Sequence, residues 1–317
     1  MNAMVNEFCL YLGSTGKSNS TVESYGRDAR DFLDWLEGSR TALASVEPKI
    51  LLEYQTRAEG NGVRKNSLRR RLIAIRQFFR FLVQRNYLPE SPLDRMPIPS
   101  RLEKMPPVFS EAEFAQLTSS ANAQEHTLKR CRDLSLLQLL GIEGLKASEL
   151  IELQPSQILE DAELMYLRVP GAHKRTILMS PSTRQALLDY LDALQAPVAD
   201  ASQAWSRLFV GFKGRGEPQV HGQLTRHGLK FLLYELGDKT HLAHINTESL
   251  RHFAIAKMIE CQWEANKIMS HLGLKQLGVI TRHFETKRTT VQCDQLPDPK
   301  NPGKETSIHP PVTAHVF

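Results

Sequence analysis

Six prolines stand between positions 89 and 107 and divide the chain into two parts of unequal length. Proline fixes its own φ and has no amide hydrogen, so no continuous helix or central strand can run through this stretch. The intervening residues also lack helical or strand periodicity. We therefore predict an extended linker over 89–107, between an N-terminal domain at 1–88 and a larger domain at 108–290.

The length and composition agree with two folded domains. The chain has 317 residues, of which 41% are hydrophobic and 24% charged, an ordinary globular composition. The 27 residues after Thr290 hold five prolines and no periodicity. We expect this tail, 291–317, to be extended or disordered unless a partner orders it.

Four cysteines lie far apart and form no Cys-x-x-Cys pair, which argues against a disulfide framework or a zinc site: Cys9, Cys131, Cys261 and Cys293. No metal ligand set is expected. No uncharged apolar run approaches the ~18 residues of a membrane span, and the first residues lack the features of a signal peptide. We expect a cytoplasmic protein in a reducing compartment, without membrane contact.

Helical signals dominate the N-terminal domain. Ser20 followed by Glu23 predicts a helix start, and Pro48 opens a second helix. Asn66 is the predicted cap of a long helix whose apolar residues recur at three- and four-residue spacing, namely Leu68, Leu72, Ile75, Phe79 and Leu82. This pattern indicates a helical bundle.

The positive charge is concentrated in this domain. Residues 1–105 contain 17 Lys and Arg against 12 Asp and Glu, whereas the remainder contains 23 of each. The stretch from Arg57 to Arg85 has nine basic residues and one acidic residue. Arg69, Arg76 and Arg80 fall on one helix face, away from the apolar stripe, and with Lys65 and Arg70 they predict contact with a polyanion. The alternative is a solvated charged face.

The larger domain is predicted to be mostly helical with one small antiparallel sheet. Ser110 and Glu113 form a capping pattern, and the residues 132–140 that follow are strongly apolar. Two short strands, 164–169 and 175–179, flank a turn at Pro170-Gly171. Further helices are predicted at 182–193, 222–236, 249–260 and 263–272.

The segment 132–150, Arg-Asp-Leu-Ser-Leu-Leu-Gln-Leu-Leu-Gly-Ile-Glu-Gly-Leu-Lys-Ala-Ser-Glu-Leu, closely resembles the first motif of the tyrosine recombinases, the phage-integrase and Xer group. Leu250-Arg251-His252 resembles the second motif, and Leu272-Gly273 resembles part of the third. Residues 8–85 are similar to the SAM-like, core-binding domain of that family. The resemblance covers most of the chain and implies a partner, double-stranded DNA.

This resemblance also implies a mechanism. In the family a tyrosine attacks a DNA phosphodiester, a covalent phosphotyrosine forms, and the 5′ hydroxyl of another strand resolves it. Two arginines and two further hydrogen-bond donors stabilise the transition state, and a lysine on the small hairpin protonates the leaving oxygen. The resemblance implies no metal and no cofactor.

Several positions of this sequence depart from the family pattern. The first arginine falls at Lys146, which keeps the charge but not the planar fork. The hairpin lysine falls at Pro170, although Lys174 is near, and the histidine before the second arginine falls at Glu248. That second arginine is present as Arg251, which could contact a DNA phosphate or the Glu248 carboxylate, and His252 follows it. The histidine after Leu-Gly falls at Leu274 and the nucleophile at His283.

No tyrosine can take the nucleophile's place by a shift of alignment. The seven tyrosines are at positions 11, 25, 54, 87, 166, 190 and 234. We therefore predict a catalytically inactive, DNA-binding family member that acts as an accessory or regulatory factor in site-specific recombination or integration. It would pair with itself or with active tyrosine recombinases on DNA. The alternatives are an active recombinase with altered residues, including His283, and a protein-interaction module that no longer binds DNA.

Overall fold

The computed structural model describes residues 2–94, 96–100, 109–161, 164–195, 206–213, 218–278 and 280–281. These residues separate into two compact units, one within 1–104 and the other within 105–317. His283 and the predicted tail at 291–317 lie outside the described residues, as do residues 95 and 101–107 of the predicted linker.

The first unit is helical throughout its regular structure. A short 3₁₀ turn, Leu43–Ser45, joins the second and third of its helices. The helices are α1 Asn2–Ser14, α2 Asn19–Gly38, α3 Pro48–Gly60 and α4 Lys65–Gln84. Two predicted starts are displaced. Ser18 rather than Ser20 caps α2, with its Oγ accepting from the amide of Thr21 at 3.3 Å, and α4 begins one residue before Asn66.

Aromatic side chains form much of the core of this unit. The predicted apolar stripe of α4 is buried along its whole length. Phe32 of α2 packs edge-on against Phe79 of α4 and Tyr54 of α3, with ring centroids 6.1 and 5.1 Å apart. Trp35 also packs against Tyr54. The apolar spacing read from the sequence therefore identifies the core face of α4 correctly, which leaves its basic residues on the opposite side.

The second unit combines helices with two small sheets. Its helices are α5 Glu111–Asn122, α6 Thr127–Gly141, α7 Ala147–Leu150, α8 Pro181–Gln195, α9 Arg226–Thr240, α10 Thr247–Glu260 and α11 Ala265–Leu272. Its strands are β1 Ile158–Asp161, β2 Leu164–Val169, β3 Arg175–Leu178, β4 Val210–Lys213 and β5 Gln219–Gln223. The capping box at α5 is confirmed, with the Ser110 amide donating to Glu113 Oε2 at 2.8 Å.

The predicted hairpin is present as β2 and β3, which pair antiparallel with Leu167 opposite Ile177. Gly171 in its turn has φ 99°, a conformation that favours glycine. β1 pairs with the other edge of β2 and completes an antiparallel three-stranded sheet, in the order β1-β2-β3. The fold is therefore mainly α with small antiparallel sheets.

One predicted element is wrong in its boundary. The sequence places a helix over 222–236, but residues 219–223 form β5, which pairs with β4 in a second sheet. The helix begins only after Thr225, whose Oγ1 accepts from the amide of Gly228 at 3.0 Å. The prediction of one sheet was therefore incomplete, because strands of four and five residues are too short to give a clear alternating signal.

Helix α6 is the centre of the second unit. Leu136, Leu137, Leu139 and Leu140 are completely buried, so this helix is covered on most of its circumference. It leads into a turn that ends at Lys146, immediately before α7. Because α6 is packed on most sides, the start of this turn is held in a fixed position. None of the described helices is long and apolar enough to cross a membrane.

Candidate functional site

The basic residues predicted to meet a polyanion lie on α4 in the first unit, with Lys65, Arg69, Arg76 and Arg80 on one face and Arg70 turned toward α2. Lys65 and Arg80 are exposed, whereas Arg69, Arg70 and Arg76 are half-buried. The sequence does not indicate which groups of the protein these arginines contact. Each arginine donates a hydrogen bond to an acceptor of the first unit, because α2 packs beside Arg70 and the residues after α4 pack beside the other three.

Two of these contacts are made to carboxylates. Arg70 donates to the Ser24 hydroxyl at 2.9 Å and forms an ion pair with Asp28, which is buried. Burial raises the pKa of Asp28 despite the opposing effect of Arg70 and the neighbouring Arg71. The Nε of Arg80 donates to Asp94 Oδ1 at 2.9 Å. This hydrogen bond lowers the pKa of Asp94.

Arg251 of α10 is the predicted site residue with the most complete set of contacts in the second unit. Its side chain is buried, with one terminal nitrogen donating to the Gly144 carbonyl and the other to the Leu272 carbonyl at 2.8 Å. Sequence reasoning offered a DNA phosphate or the Glu248 carboxylate as its ligand. Among the described residues, Arg251 instead donates to main-chain oxygens of the α6–α7 turn and the end of α11.

A charge network surrounds Lys146, which precedes α7. The Lys146 amide donates to Glu149 Oε2 at 2.9 Å, and its ammonium lies 3.9 Å from Glu149 Oε1. Arg175 of β3 donates to both oxygens of that carboxylate, at 2.9 and 3.2 Å. Glu149 therefore caps α7 and receives a bidentate arginine in a buried position.

The pKa values follow from this arrangement. Burial lowers the pKa of Lys146, and the nearby Arg251 and Arg175 lower it further against the opposing effect of Glu149. Burial acts in the opposite sense on Glu149, but hydrogen bonds from Arg175 and from the Lys146 amide outweigh it and hold the pKa of Glu149 below its usual value. A buried anion thus sits among three cations.

The β2–β3 hairpin places Pro170 and the exposed Lys174 beside an open cleft of about 750 Å³. Arg168, Arg175 and Arg207 also line this cleft, which we call the hairpin cleft. Pro170 has neither an amide hydrogen nor an ionisable group, so it can donate no proton. Lys174 is the lysine at this turn and could present its ammonium to an anion in the cleft.

Three predicted site positions remain, namely Glu248, Leu274 and His283. Glu248 is exposed in the first turn of α10, with Oε1 3.6 Å from the Nε2 of His252. Leu274 packs against the apolar cluster formed by α10 and α11. His283 lies outside the described residues, so its surroundings are not described. Within the described ranges, no group of three or more His, Cys, Asp or Glu could hold a metal ion.

Sequence reasoning missed Arg175, Arg168 and Arg207. Arg175 was assigned only to the start of a strand, yet it links Glu149 to the His271 carbonyl. In the sequence, Arg175 is marked only as a basic residue at the start of a strand, next to Lys174. This feature alone is too weak to identify a site residue. Arg207 belongs to no recognisable sequence pattern. The bonds of Arg175 to Glu149 and His271, and the bond of Arg207 to the Ile151 carbonyl, join positions distant in sequence.

Gly273 shows how closely this region is packed. It has φ 61°, and a Cβ at this position would lie 2.9 Å from the Nη1 of Arg175. Glycine thus ends α11 in the left-handed conformation and leaves room for the guanidinium. The Leu-Gly pair singled out in the sequence has this physical basis.

Comparison with family models identifies both units. Residues 5–86 match the phage integrase N-terminal SAM-like domain, and residues 108–288 match the phage integrase family. The chain therefore belongs to the phage integrase family of tyrosine recombinases.

Curated relatives match along most of their length. The chain is 29% identical over 300 residues to tyrosine recombinase XerD of Bradyrhizobium diazoefficiens, which covers 89% of this chain and 92% of that protein. It is 27% identical over 263 residues to tyrosine recombinase XerD of Rhizobium meliloti, which covers 81% of this chain and 82% of that protein.

Solved structures share the fold. A XerH site-specific recombinase bound to a palindromic difH substrate, in a post-cleavage complex, matches with a TM-score of 0.69 and 15% identity over 86% of this chain and 79% of that chain. A lambda integrase dimer bound to a COC′ core site matches with a TM-score of 0.61 and 13% identity over 89% of this chain and 76% of that chain.

Proposed function

We propose that this chain binds double-stranded DNA but does not cleave it, and that it acts as an accessory or regulatory factor in site-specific recombination or integration. One observation carries the proposal. No tyrosine occurs in the 83 residues after Tyr234, and the position of the family nucleophile holds His283. The protein would act on DNA together with a second copy of itself or with active tyrosine recombinases.

Basic residues in both units support DNA binding. The cations of α4 outnumber the acidic residues around them, and the hairpin cleft adds Arg168, Lys174 and Arg207. Neutralised phosphates release counterions, and this release drives much of protein–DNA affinity. Among the structures that share the fold, XerH is bound to a palindromic difH substrate and the lambda integrase dimer is bound to a COC′ core site.

The family's catalytic positions support the loss of cleavage. Lys146 cannot grip two phosphate oxygens with a planar fork, and Leu274 has no hydrogen-bond donor. Glu248 places a carboxylate where the family has a donor to phosphate. Removing a single donor to a transition-state oxyanion costs roughly 10²–10³ in rate. Several changes together would leave a phosphorane poorly stabilised even if a nucleophile were present.

DNA binding is tested with the full chain and duplexes that carry inverted-repeat sites. A mobility-shift assay at low salt should show a complex that weakens as salt rises. Replacing Arg69, Arg76 and Arg80 together with Gln should weaken binding and make the salt dependence shallower by about 0.9 per lost phosphate contact. Absence of binding by the wild type would favour the protein-interaction module instead, whereas binding unchanged in this variant would exclude these three arginines from the DNA contact.

Cleavage is tested with a nicked suicide substrate, which traps a covalent protein–DNA adduct. We expect none. An adduct that disappears in His283→Ala but persists in the control His221→Ala would establish the other alternative, an active recombinase with altered catalytic residues. His221 suits the control because its side chain is exposed on β5.

A further inference from the structure

The arginines of α4 meet one neighbouring segment at three successive points. This segment, which we call the proline strap, comprises residues 91–94 and 96–100, directly beyond the end of the α4 region. Arg80 donates to Asp94 Oδ1 at 2.9 Å and Arg69 to the Pro99 carbonyl at 3.1 Å, while Arg76 between them donates to the Met96 carbonyl. The strap therefore runs antiparallel to α4.

Apolar contacts hold the strap against the bundle independently of the arginines. Leu93 is completely buried in the core of the first unit, and Met96 packs against the same core. Pro97 and Pro99 restrict the backbone between and beyond these anchors, because each proline fixes its φ. The oxygens that receive the arginines are thus held in place by the core and by backbone stiffness.

The strap uses only part of each guanidinium. A guanidinium has five N–H groups, and both Arg69 and Arg80 bond the strap through Nε alone. Within the described part of the chain, the terminal nitrogens of these two arginines have no hydrogen-bond partner. The strap thus fixes the orientation of the side chain and leaves available the nitrogens that bind phosphate bidentately.

The acceptors also preserve most of the positive charge. Two of the three are peptide carbonyls, which orient an arginine without neutralising it. Only Asp94 carries a negative charge, and its side chain is 46% exposed beside an Arg80 that is 49% exposed. A segment that masked the face would be expected to oppose each arginine with a carboxylate.

We propose that the proline strap is a positioning element that orders Arg69, Arg76 and Arg80 for contact with DNA phosphates, and that Asp94 is the positioning residue for Arg80. This inference rests on the proposed DNA binding. Immobilising a long side chain at an interface costs free energy. Because the strap already orders these side chains in the unbound protein, less free energy is lost when DNA binds. For three arginines the effect on affinity is on the order of tenfold.

The test uses the full chain and fluorescence anisotropy with a labelled duplex at a series of KCl concentrations. The double variant Pro97→Gly, Pro99→Gly loosens the strap without changing α4 or any charge. We expect binding roughly tenfold weaker, with an unchanged salt slope, because the same cations still meet the same phosphates. Binding that is unchanged or tighter would overturn the proposal, and tighter binding would identify the strap as a mask.

A second pair of variants measures the contribution of Asp94 alone. Its side chain is exposed, so these substitutions do not put folding at risk. Asp94→Asn and Asp94→Ala both remove the negative charge, but only Asn keeps an oxygen for the Nε of Arg80. We expect Asp94→Ala to bind about threefold more weakly than Asp94→Asn. Equal affinities would overturn the role of Asp94.

The experiments distinguish a failure of the proposed DNA binding from a failure of the proposed role of the strap. If the triple variant of Arg69, Arg76 and Arg80 to Gln binds DNA as the wild type does, then α4 has no DNA contacts to be positioned. That result overturns the strap proposal but not DNA binding by the chain, which fails only if the wild type forms no complex. A triple variant that binds weakly, together with strap variants that bind like the wild type, also overturns the strap proposal alone.

Discussion

Arg175 and Arg251 donate hydrogen bonds to the main-chain carbonyl groups of consecutive residues, His271 and Leu272, at the end of α11. The last carbonyls of a helix have no partner inside the helix and mark the negative end of its dipole, so cations stabilise this end. Arg175 comes from β3 and Arg251 from α10. Two elements distant in sequence are thereby joined at one helix terminus.

Replacing Glu149 should destabilise the second unit. Glu149→Gln removes the buried charge that pairs with the partly buried Arg175 and weakens the cap of α7. We expect a loss of about 2–4 kcal/mol in the free energy of unfolding, because a largely desolvated cation is left without its counterion. Urea denaturation measures this loss. The control Glu152→Gln, at an exposed position nearby, should change stability by less than about 0.5 kcal/mol.

Acid should destabilise the second unit through two buried carboxylates. Burial acts to raise the pKa values of Glu143 and Glu149, but their hydrogen bonds outweigh it and both values lie below the ordinary 4.5. A lowered pKa in the folded state contributes stability that is complete above the unfolded value and is lost as the pH falls through the folded value.

The free energy of unfolding should therefore fall as the pH drops below the ordinary carboxyl value of about 4.5, and fall less steeply in Glu149→Gln. Urea denaturation at a series of pH values measures both slopes. Equal slopes for the variant and the wild type would contradict the assignment of a lowered pKa to Glu149.

Two glycine substitutions separate backbone strain from steric contact. Gly62 has φ 75° with open space where a Cβ would lie, whereas Gly273 has φ 61° with Arg175 in the way. Gly62→Ala should cost about 1 kcal/mol from the left-handed conformation alone. Gly273→Ala should cost more, because the guanidinium must also move. Thermal unfolding of both variants compares the two costs, and equal losses would exclude a steric role for Arg175.

The basic residues of α4 should differ in what they contribute to stability. Lys65→Gln, at an exposed position, should reduce DNA affinity and lower the salt slope by about 0.9 without a change in melting temperature. Arg76→Gln should have the same effect on DNA and also lower the melting temperature, because it loses the bond to the Met96 carbonyl. Differential scanning calorimetry measures the melting temperatures and fluorescence anisotropy measures the DNA affinities, so the two effects can be separated.

Much of the fold follows from local signals. The stripe of α4, the capping box at Ser110 and the hairpin turn at Gly171 each depend on residues close in sequence, and each is present in the structure. The pairing of β4 with β5 was not predictable in this way. β4 is four residues long and contains Gly211, so neither length nor alternation marks it as a strand.

The candidate site was less accessible from the sequence for a different reason. Spacing identifies which residues share a helix face, but it does not show which acceptors will fold against that face. The Arg175–Glu149 pair joins residues 26 positions apart, and the partners of Arg69 and Arg76 are carbonyl groups, which every residue possesses. The sequence therefore located the basic residues of α4 and missed their bonding.

The burial of Leu93 has a practical consequence for dividing this protein into fragments. A fragment that stops at residue 88, the boundary suggested by the prolines, would leave an empty apolar site where Leu93 packs and would deprive three arginines of their acceptors. A fragment that continues to Ser100 retains both. Expression trials and crystallisation of the N-terminal unit should begin from the longer version.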